Sequence, residues 1–386
     1  MKVFKLIFKN ALRHKLRTAL TIMGIAIAVM AFVLLRTVVT AWYVGVEASA
    51  ANRLITRQAV SFIFPLPYAY RDQIAKLPGV ENITFANWFG GTYIDKNQFF
   101  ARMAVDPETM FDIYPEFVVD PAELGAFKRE RNACIVGSGL AQQYGFKIGD
   151  VINIDGDIYP GKLAFVVRGI YKPRDKTTDT SQMLFHWQYV DERMRQDDAA
   201  RAGQVGWYIV RISDPAQSAS IAEQIDALFK NSRAETKTET ERAFQQGFIA
   251  AAGTIIGSMN FMSFVIIGII MLVVGNTMIM SARERTSEYA VLKTLGFSAF
   301  HLVGLIFGES LLLSCLGGGI GLAMSAPFVA GFEAVIPRGW FPVFIIEPIT
   351  IILAVSSALL VGVLASVFPI QRALRTTIVD GLRHIG

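Results

Sequence analysis

Four apolar runs, each long enough to cross a lipid bilayer, restrict this chain to a multi-pass membrane fold. They are Thr18 to about Val46, Ile255–Met280 within a longer segment 248–280, about Leu302 to Ala326 ending at Pro327 within 300–327, and Ile349–Phe368 with Pro369 at its exit (349–369). About 20 apolar residues span the hydrocarbon layer. The 386-residue chain is 53% hydrophobic and only 18% charged, with mean hydropathy +0.41. That is too apolar and too weakly charged for an ordinary soluble protein. The net charge of +5 gathers beside the apolar runs, which is the pattern of a membrane protein and not of a nucleic-acid binder.

The flanking charge sets an expected orientation. Lys2, Lys5, Lys9, Arg13, Lys15 and Arg17 precede the first run with no acid among them. Arg283, Arg285 and Lys293 follow the second, and Arg372, Arg375 and Arg383 follow the fourth. The connection between the third and fourth, 328–348, carries only Arg338 among its basic residues. By the positive-inside rule both termini, the tail 370–386 and the segment 281–299 face the cytoplasm, and 47–247 lies outside. Residues 1–17 read as an amphipathic cytoplasmic helix, with Lys2, Lys5, Lys9 and Arg13 on one face and Phe4, Ile7, Phe8 and Ala11 on the other. The alternative is a secretory leader with a cleavage site near Ala48-Ser49-Ala50. The first run is longer than the 7–15 residues or so of a leader's core, which argues against it. Arg36 interrupts this run. It either snorkels outward or pairs with another helix, where Glu309 is the only acid well inside a later run.

Residues 47–247 contain no spanning segment. Ala59–Phe64, Val80–Phe89, Asn97–Val105, Ala133–Val136, Asp150–Ile154, Lys162–Tyr171 and Val205–Ile212 have strand character. Tyr68–Leu77 and Pro215–Phe229 have helix character, the latter with Asp214 placed as its N-cap. The spacing predicts a mixed α+β domain, with the polar, helix-prone stretch Glu235–Gly253 leading into the second run as a stalk. Gly156, Gly161 and Lys162 match G-x-x-x-x-G-K, but Leu163 stands where a phosphate loop needs Ser or Thr, and the segment joins two strands. A β-hairpin is expected there, and no nucleotide or other cofactor site in this chain. Asp95, Asp106, Asp155, Asp157 and His186 show no spacing of nucleophile, base and orienter. The four histidines are scattered, and Cys134 and Cys315 suggest neither a disulfide framework nor a zinc cluster.

The stretch Asn276–Gly296 carries the strongest local signal. Arg283, Glu284, Arg285, Glu288 and Lys293 bar it from hydrocarbon. Tyr289, Leu292 and Leu295 recur at helical spacing, and Gly296 is placed to close a helix. It reads either as a docking helix or as a solvated connection. Gly317-Gly318-Gly319 with Gly321 in the third run has no lysine for a nucleotide loop. It suits close helix contact, within one subunit or across a dimer.

Glu284-Arg285-x-x-Glu288-Tyr289-x-x-x-Lys293-Thr294-Leu295-Gly296 resembles the segment after the second span of the FtsX/MacB/LolC-LolE permeases. Cys134 to Gly145 followed by Lys147-Ile148-Gly149-Asp150, then Phe165 to Ile170, is similar to stretches of MacB-type periplasmic domains, as is Val105 to Phe111. Pro369-x-x-Arg372-Ala373-x-Arg375 with Asp380 and Arg383 resembles the family's ending, without the proline usual before that aspartate. The resemblance implies an α-helical membrane protein with four transmembrane helices and an α+β extracytoplasmic domain between helices 1 and 2. It implies a coupling helix that docks on a separate cytoplasmic ABC ATPase dimer, with ATP and magnesium held by that partner and no catalysis by this chain. Glu284, Arg285, Glu288, Tyr289, Leu292, Lys293, Leu295 and Gly296 are the coupling residues so implied. Tyr289, Leu292 and Leu295 would form the buried contact, with Glu284, Arg285 and Glu288 orienting it. The chain would sit in the inner membrane, among lipid, beside a second copy or a homologous permease. A periplasmic adaptor and outer-membrane channel are left open, and so is the substrate. The expected role is export or extraction at the outer face. The alternative is FtsX-like signalling to an extracytoplasmic hydrolase.

Overall fold

The computed structural model describes residue 8 and residues 13–95, 98–335 and 343–375. The rest of the amphipathic segment 1–17 and the tail beyond Arg375 lie outside the described residues, as do Arg338, Asp380 and Arg383. In chain order the helices are α1 (Lys15–Ala48), α2 (Tyr70–Ile74), α3 (Met110–Ile113), α4 (Pro121–Arg129), α5 (Ser138–Tyr144), α6 (Trp187–Asp197), α7 (Ser218–Leu228), α8 (Glu241–Ala251), α9 (Gly253–Glu284), α10 (Thr286–Thr294), α11 (Ala299–Val335) and α12 (Pro348–Arg375). The strands are β1 (Arg53–Gln58), β2 (Leu66–Pro67), β3 (Val80–Trp88), β4 (Ala101–Val105), β5 (Phe117–Val118), β6 (Ala133–Gly137), β7 (Val151–Gly156), β8 (Gly161–Pro173), β9 (Gln182–His186), β10 (Gln204–Val205), β11 (Trp207–Ile212) and β12 (Thr236–Thr240). They form two compact units. Among the described residues, one is built mainly from those of 41–252, the other from those of 1–40, 253–332 and 345–386.

The first unit is organised on a mixed sheet in the order β12-β1-β11-β3-β4-β9-β6-β8-β5, with β7 paired to β8. β4–β9 and β6–β8 are parallel. Both faces of the sheet are covered, which explains the continuous apolar runs of β6 and β9. Along β9, Met183 and Phe185 join one core and Leu184 the other. Along β11, Tyr208 and Val210 face the first core and Ile209 the second. α2, α5, α6 and α7 contribute Ile74, Leu140, Val190 and Ile225 to the first core. Phe127 of α4 lies in the second. The β7–β8 hairpin closes through the pair Gly156 and Gly161, so the phosphate-loop-like spacing is a turn. Asp214 accepts from Ala216 N at 2.9 Å and opens the helical segment that leads into α7.

Two expected elements differ. Ala59–Phe64 is not a strand, and the pairing strand is β1, which ends at Gln58. The Gln58 side chain accepts from Val60 N at 2.7 Å and from Ser61 N at 3.0 Å, folding the chain into a local turn that competes with a ladder. Thr236–Thr240, expected to be helical, is instead strand β12 on β1. Its Thr residues suit a pleated surface, and Thr238 Oγ1 lies 3.0 Å from Thr56 Oγ1 across the pair. The helix starts afterwards, with the Thr240 hydroxyl accepting from Ala243 N.

His186, at the end of β9, is fully enclosed, with Nε2 2.7 Å from the Phe127 carbonyl oxygen. Burial pushes its imidazole below the usual 6.5, partly opposed by that carbonyl. A depressed folded value means stability present above pH 6.5 or so and lost as pH falls through the folded pKa. Thermal unfolding of the wild type should therefore weaken on acidification more than that of His186→Gln. Parallel slopes would contradict the neutral assignment.

The second unit packs α1, α9, α11 and α12 around Ile25, Val29, Val33, Val274, Leu313 and Val361. These four helices are long and apolar enough to cross a membrane. α11 continues past Pro327 and α12 past Pro369, beyond the ends expected from the sequence. Proline removes one N–H, whereas ending the helix in an apolar environment would strip several backbone groups of partners. Three glycines of α11 serve contacts within the chain. A Cβ on Gly321 would stand 2.5 Å from the Ala26 carbonyl oxygen, and one on Gly317 2.6 Å from Ile25 Cβ, both on α1. A Cβ on Gly318 would meet Ala358 of α12 at 2.8 Å. Gly319 has open space around it. Gly321→Leu should cost about 1–3 kcal/mol by forcing α1 and α11 apart, and Gly319→Ala should be silent in thermal unfolding. Equal effects at the two positions would contradict the packing.

Candidate coupling site

α9 and α10 are separated by a single residue, Arg285, whose backbone (φ −103°, ψ 13°) breaks the helix. The apolar helix therefore reaches Glu284, and the charged helix is shorter than the stretch Asn276–Gly296 suggested. α10 ends in a paired cap. Phe297 N donates to Leu292 O at 3.0 Å, Gly296 N donates to Lys293 O at 3.1 Å, and Gly296 adopts φ +85°. This double bond requires a left-handed residue, which glycine supplies without a steric penalty.

The residues of the motif fall on different sides of α10. Tyr289 is 7% exposed and packs with Ala282, Leu302, Ile306 and Ala373 of its own chain, with Leu292 against the same cluster. Burial pushes the Tyr289 phenol up to about 12 against the pull of the Arg285 cation, so it stays neutral. Arg285, 5% exposed, donates through Nη1 to Glu309 Oε2 of α11 at 2.7 Å. Glu309, the lone acid noted inside the later runs, thus faces protein and a cation.

Two further ion pairs join the same end of the unit. Arg17 Nη1 is 2.8 Å from Glu284 Oε2, and Arg13 pairs with Glu288. Lys293 Nζ donates to the Ala373 carbonyl of α12 at 3.1 Å. The junction of α9 and α10 is therefore tied to α1 by Glu284 and to α11 by Arg285, and α10 itself to α12 by Lys293. Leu295 stands apart at 70% exposed, with Phe300 at 84% and Val291 and Phe297 also exposed. Glu309 and Arg17 were not among the residues singled out for this site. The lone acid in an apolar run was the signal for the first, but its partner lies 24 positions away.

The acids of the sheet unit do local work. Asp106 accepts from Glu108 N at 3.1 Å and pairs with Arg71 at 3.1 Å. Asp157 accepts from Gly91 N at 2.7 Å, and Asp95 from Gln98 N at 3.2 Å. With His186 enclosed on Phe127, these side chains do not converge on a reacting position.

Comparison with known proteins bears on both units. The family model of the MacB-like periplasmic core domain matches residues 18–228, and that of the FtsX-like permease C-terminal region matches residues 260–378. An uncharacterized ABC transporter permease of Methanocaldococcus jannaschii is 24% identical, over 97% of this chain and 96% of its own length. The macrolide export ATP-binding/permease protein MacB of Bdellovibrio bacteriovorus is 22% identical over 76% of this chain, which spans 45% of that larger protein. Among solved structures, the periplasmic region of MacB from Actinobacillus actinomycetemcomitans is similar, with a TM-score of 0.38 and 12% identity, over 53% of this chain and 95% of that one.

Proposed function

Because the chain belongs to the MacB/FtsX family of ABC transporter permeases, we propose that it is the non-catalytic membrane subunit through which a separate cytoplasmic ABC ATPase moves an extracytoplasmic domain. The movement drives export or extraction of a substrate at the outer face of the inner membrane. The observation that carries this reading is the division of labour on α10. Its charges and Tyr289 are spent on its own chain, while Leu295, Phe297 and Phe300 are left uncovered just beyond. An anchored helix with an uncovered apolar edge is suited to receive a partner and to pass its displacement to α1, α11 and α12. The basic residues flanking the spans favour a cytoplasmic α10, where it would lie beside that partner, with ATP and magnesium belonging to the ATPase. Two permease chains, alike or homologous, would present two such edges to an ATPase dimer. α1 and α9, which lead toward residues 41–252 in sequence, would transmit the motion. Purification from the native host in mild detergent should recover a P-loop ATPase in one-to-one ratio. A clean single chain, under conditions that hold known permease–ATPase complexes together, would remove the proposal's engine.

A further inference from the structure

The chain leaves β1 through a short tip whose large apolar side chains stand exposed. Ala59–Phe64 reads AVSFIF, and no charged side chain occurs from Ala59 to Tyr70. Val60 is 80% and Ile63 77% exposed, and Phe62 and Phe64 are exposed as well. The Phe62 ring meets Phe248 of α8 edge to face at 5.1 Å, and Phe248, itself exposed, meets Phe244 at 5.0 Å. Val60, Phe62, Ile63, Phe64 and Phe248 thus form one apolar patch, of the kind that marks an interaction surface.

The backbone of the tip is largely satisfied from within. Ala59 N donates to Glu235 O at 2.8 Å, and Val60 N and Ser61 N both donate to the Gln58 side chain. Ile63 N donates to Ser61 Oγ at 3.3 Å and Phe64 N to Ser61 O at 3.2 Å, while Pro65 has no N–H. Donors paired inside the chain allow a loop to approach an apolar medium without stranding polar groups. The tip also has little directional to offer a protein, because its one polar side chain, Ser61, already accepts from Ile63 N. A protein interface carries roughly one hydrogen bond per 100–200 Å² and a polar rim, whereas a lipid surface asks only for apolar and aromatic side chains. Chain connectivity keeps the patch near a bilayer. Phe248 stands five residues before Gly253, the first residue of α9, which is long and apolar enough to cross a membrane. At no more than about 3.6 Å per residue, Phe248 lies within about 18 Å of the start of that helix.

We infer that the tip Val60–Phe64, backed by Phe248, rests in the interfacial layer of the lipid bilayer that α9 crosses, giving the sheet unit a lipid contact of its own. Neither the ATPase nor a substrate enters this inference, so its test stands apart from that of the proposed function.

The full chain with Cys315→Ser, which leaves only the buried Cys134, can be spin-labelled at Ile63→Cys and placed in nanodiscs of phosphatidylethanolamine and phosphatidylglycerol. Ile148→Cys supplies the control, an exposed isoleucine of the same unit on a turn between Lys147 and Asp150. Oxygen concentrates in lipid and a nickel chelate in water. The ratio of oxygen to chelate collisions should be several-fold higher for the Ile63 label than for the Ile148 label. Adding Val60→Asp and Phe64→Asp should bring the Ile63 label down to the control. Equal ratios at the two positions in the otherwise unchanged tip would overturn the inference. Exclusion of both reagents from Ile63 would mean that a second copy or another protein covers the tip, and would equally overturn the lipid assignment. If the labelled chain does not reconstitute, Phe64→Trp in nanodiscs of brominated lipid must lose a larger share of its fluorescence than wild type does. An equal loss would overturn the inference by that route.

Discussion

Leu295→Asp is expected to uncouple the permease from its ATPase while leaving the fold intact. The side chain is 70% exposed, so a carboxylate there meets water in the isolated chain and costs the fold little. Against a docked partner the same carboxylate must be desolvated without a counterion. Disrupting a central apolar anchor of an interface typically costs 2 kcal/mol or more, about 30-fold in affinity. ATP hydrolysis by the reconstituted complex should lose its dependence on the permease, with the variant's thermal midpoint unchanged. Leu292→Asp should behave differently. Leu292 packs against the Tyr289 cluster of its own chain, so the substitution lowers the midpoint as well as the coupling. Turnover and binding unchanged in Leu295→Asp would refute the docking role of this edge.

Glu309→Leu should be the most destabilising single change near the site. Arg285 is 5% exposed and its Nη1 sits 2.7 Å from Glu309 Oε2. Removing the acid leaves a buried cation whose ion pair with Glu288 spans a longer 3.8 Å. Breaking a buried pair from one side costs about 3–5 kcal/mol, whereas replacing both partners with apolar groups is often neutral. Thermal unfolding should therefore fall sharply in Glu309→Leu and in Arg285→Met separately and recover in the double variant. Simple additivity of the two losses would show that the residues do not act as a pair. The same cycle read in ATPase coupling separates a structural lock from a transmitting one. If α10 moves with α11 through this pair, the stable double variant remains folded yet couples poorly.

Much of the architecture could be read locally. Spanning helices announce themselves by length and apolarity, because lipid demands both. The strands of the sheet unit were legible where alternation or continuous apolarity was strong, as in Val80–Phe89 and Ala133–Val136. They were misplaced at Ala59–Phe64, where apolar side chains suit a strand but the Gln58 amide captures the backbone first. Thr236–Thr240 was missed because five polar residues carry little strand signal until β1 supplies a partner. Prolines 327 and 369 pointed to helix ends by their chemistry in water, and an apolar surrounding reverses that preference.

The sequence by itself determined which residues are too charged to enter hydrocarbon and which helix closes at Gly296, because solvation and backbone sterics act on each residue where it stands. Only the tertiary structure decided the partners. It turned Tyr289 inward, left Leu295 out, matched Arg285 to Glu309, and set Arg36 beside Asn260 across 224 positions of chain. Pairing energies depend on distance in space and on the local dielectric. Neither exists along a sequence until the helices have packed.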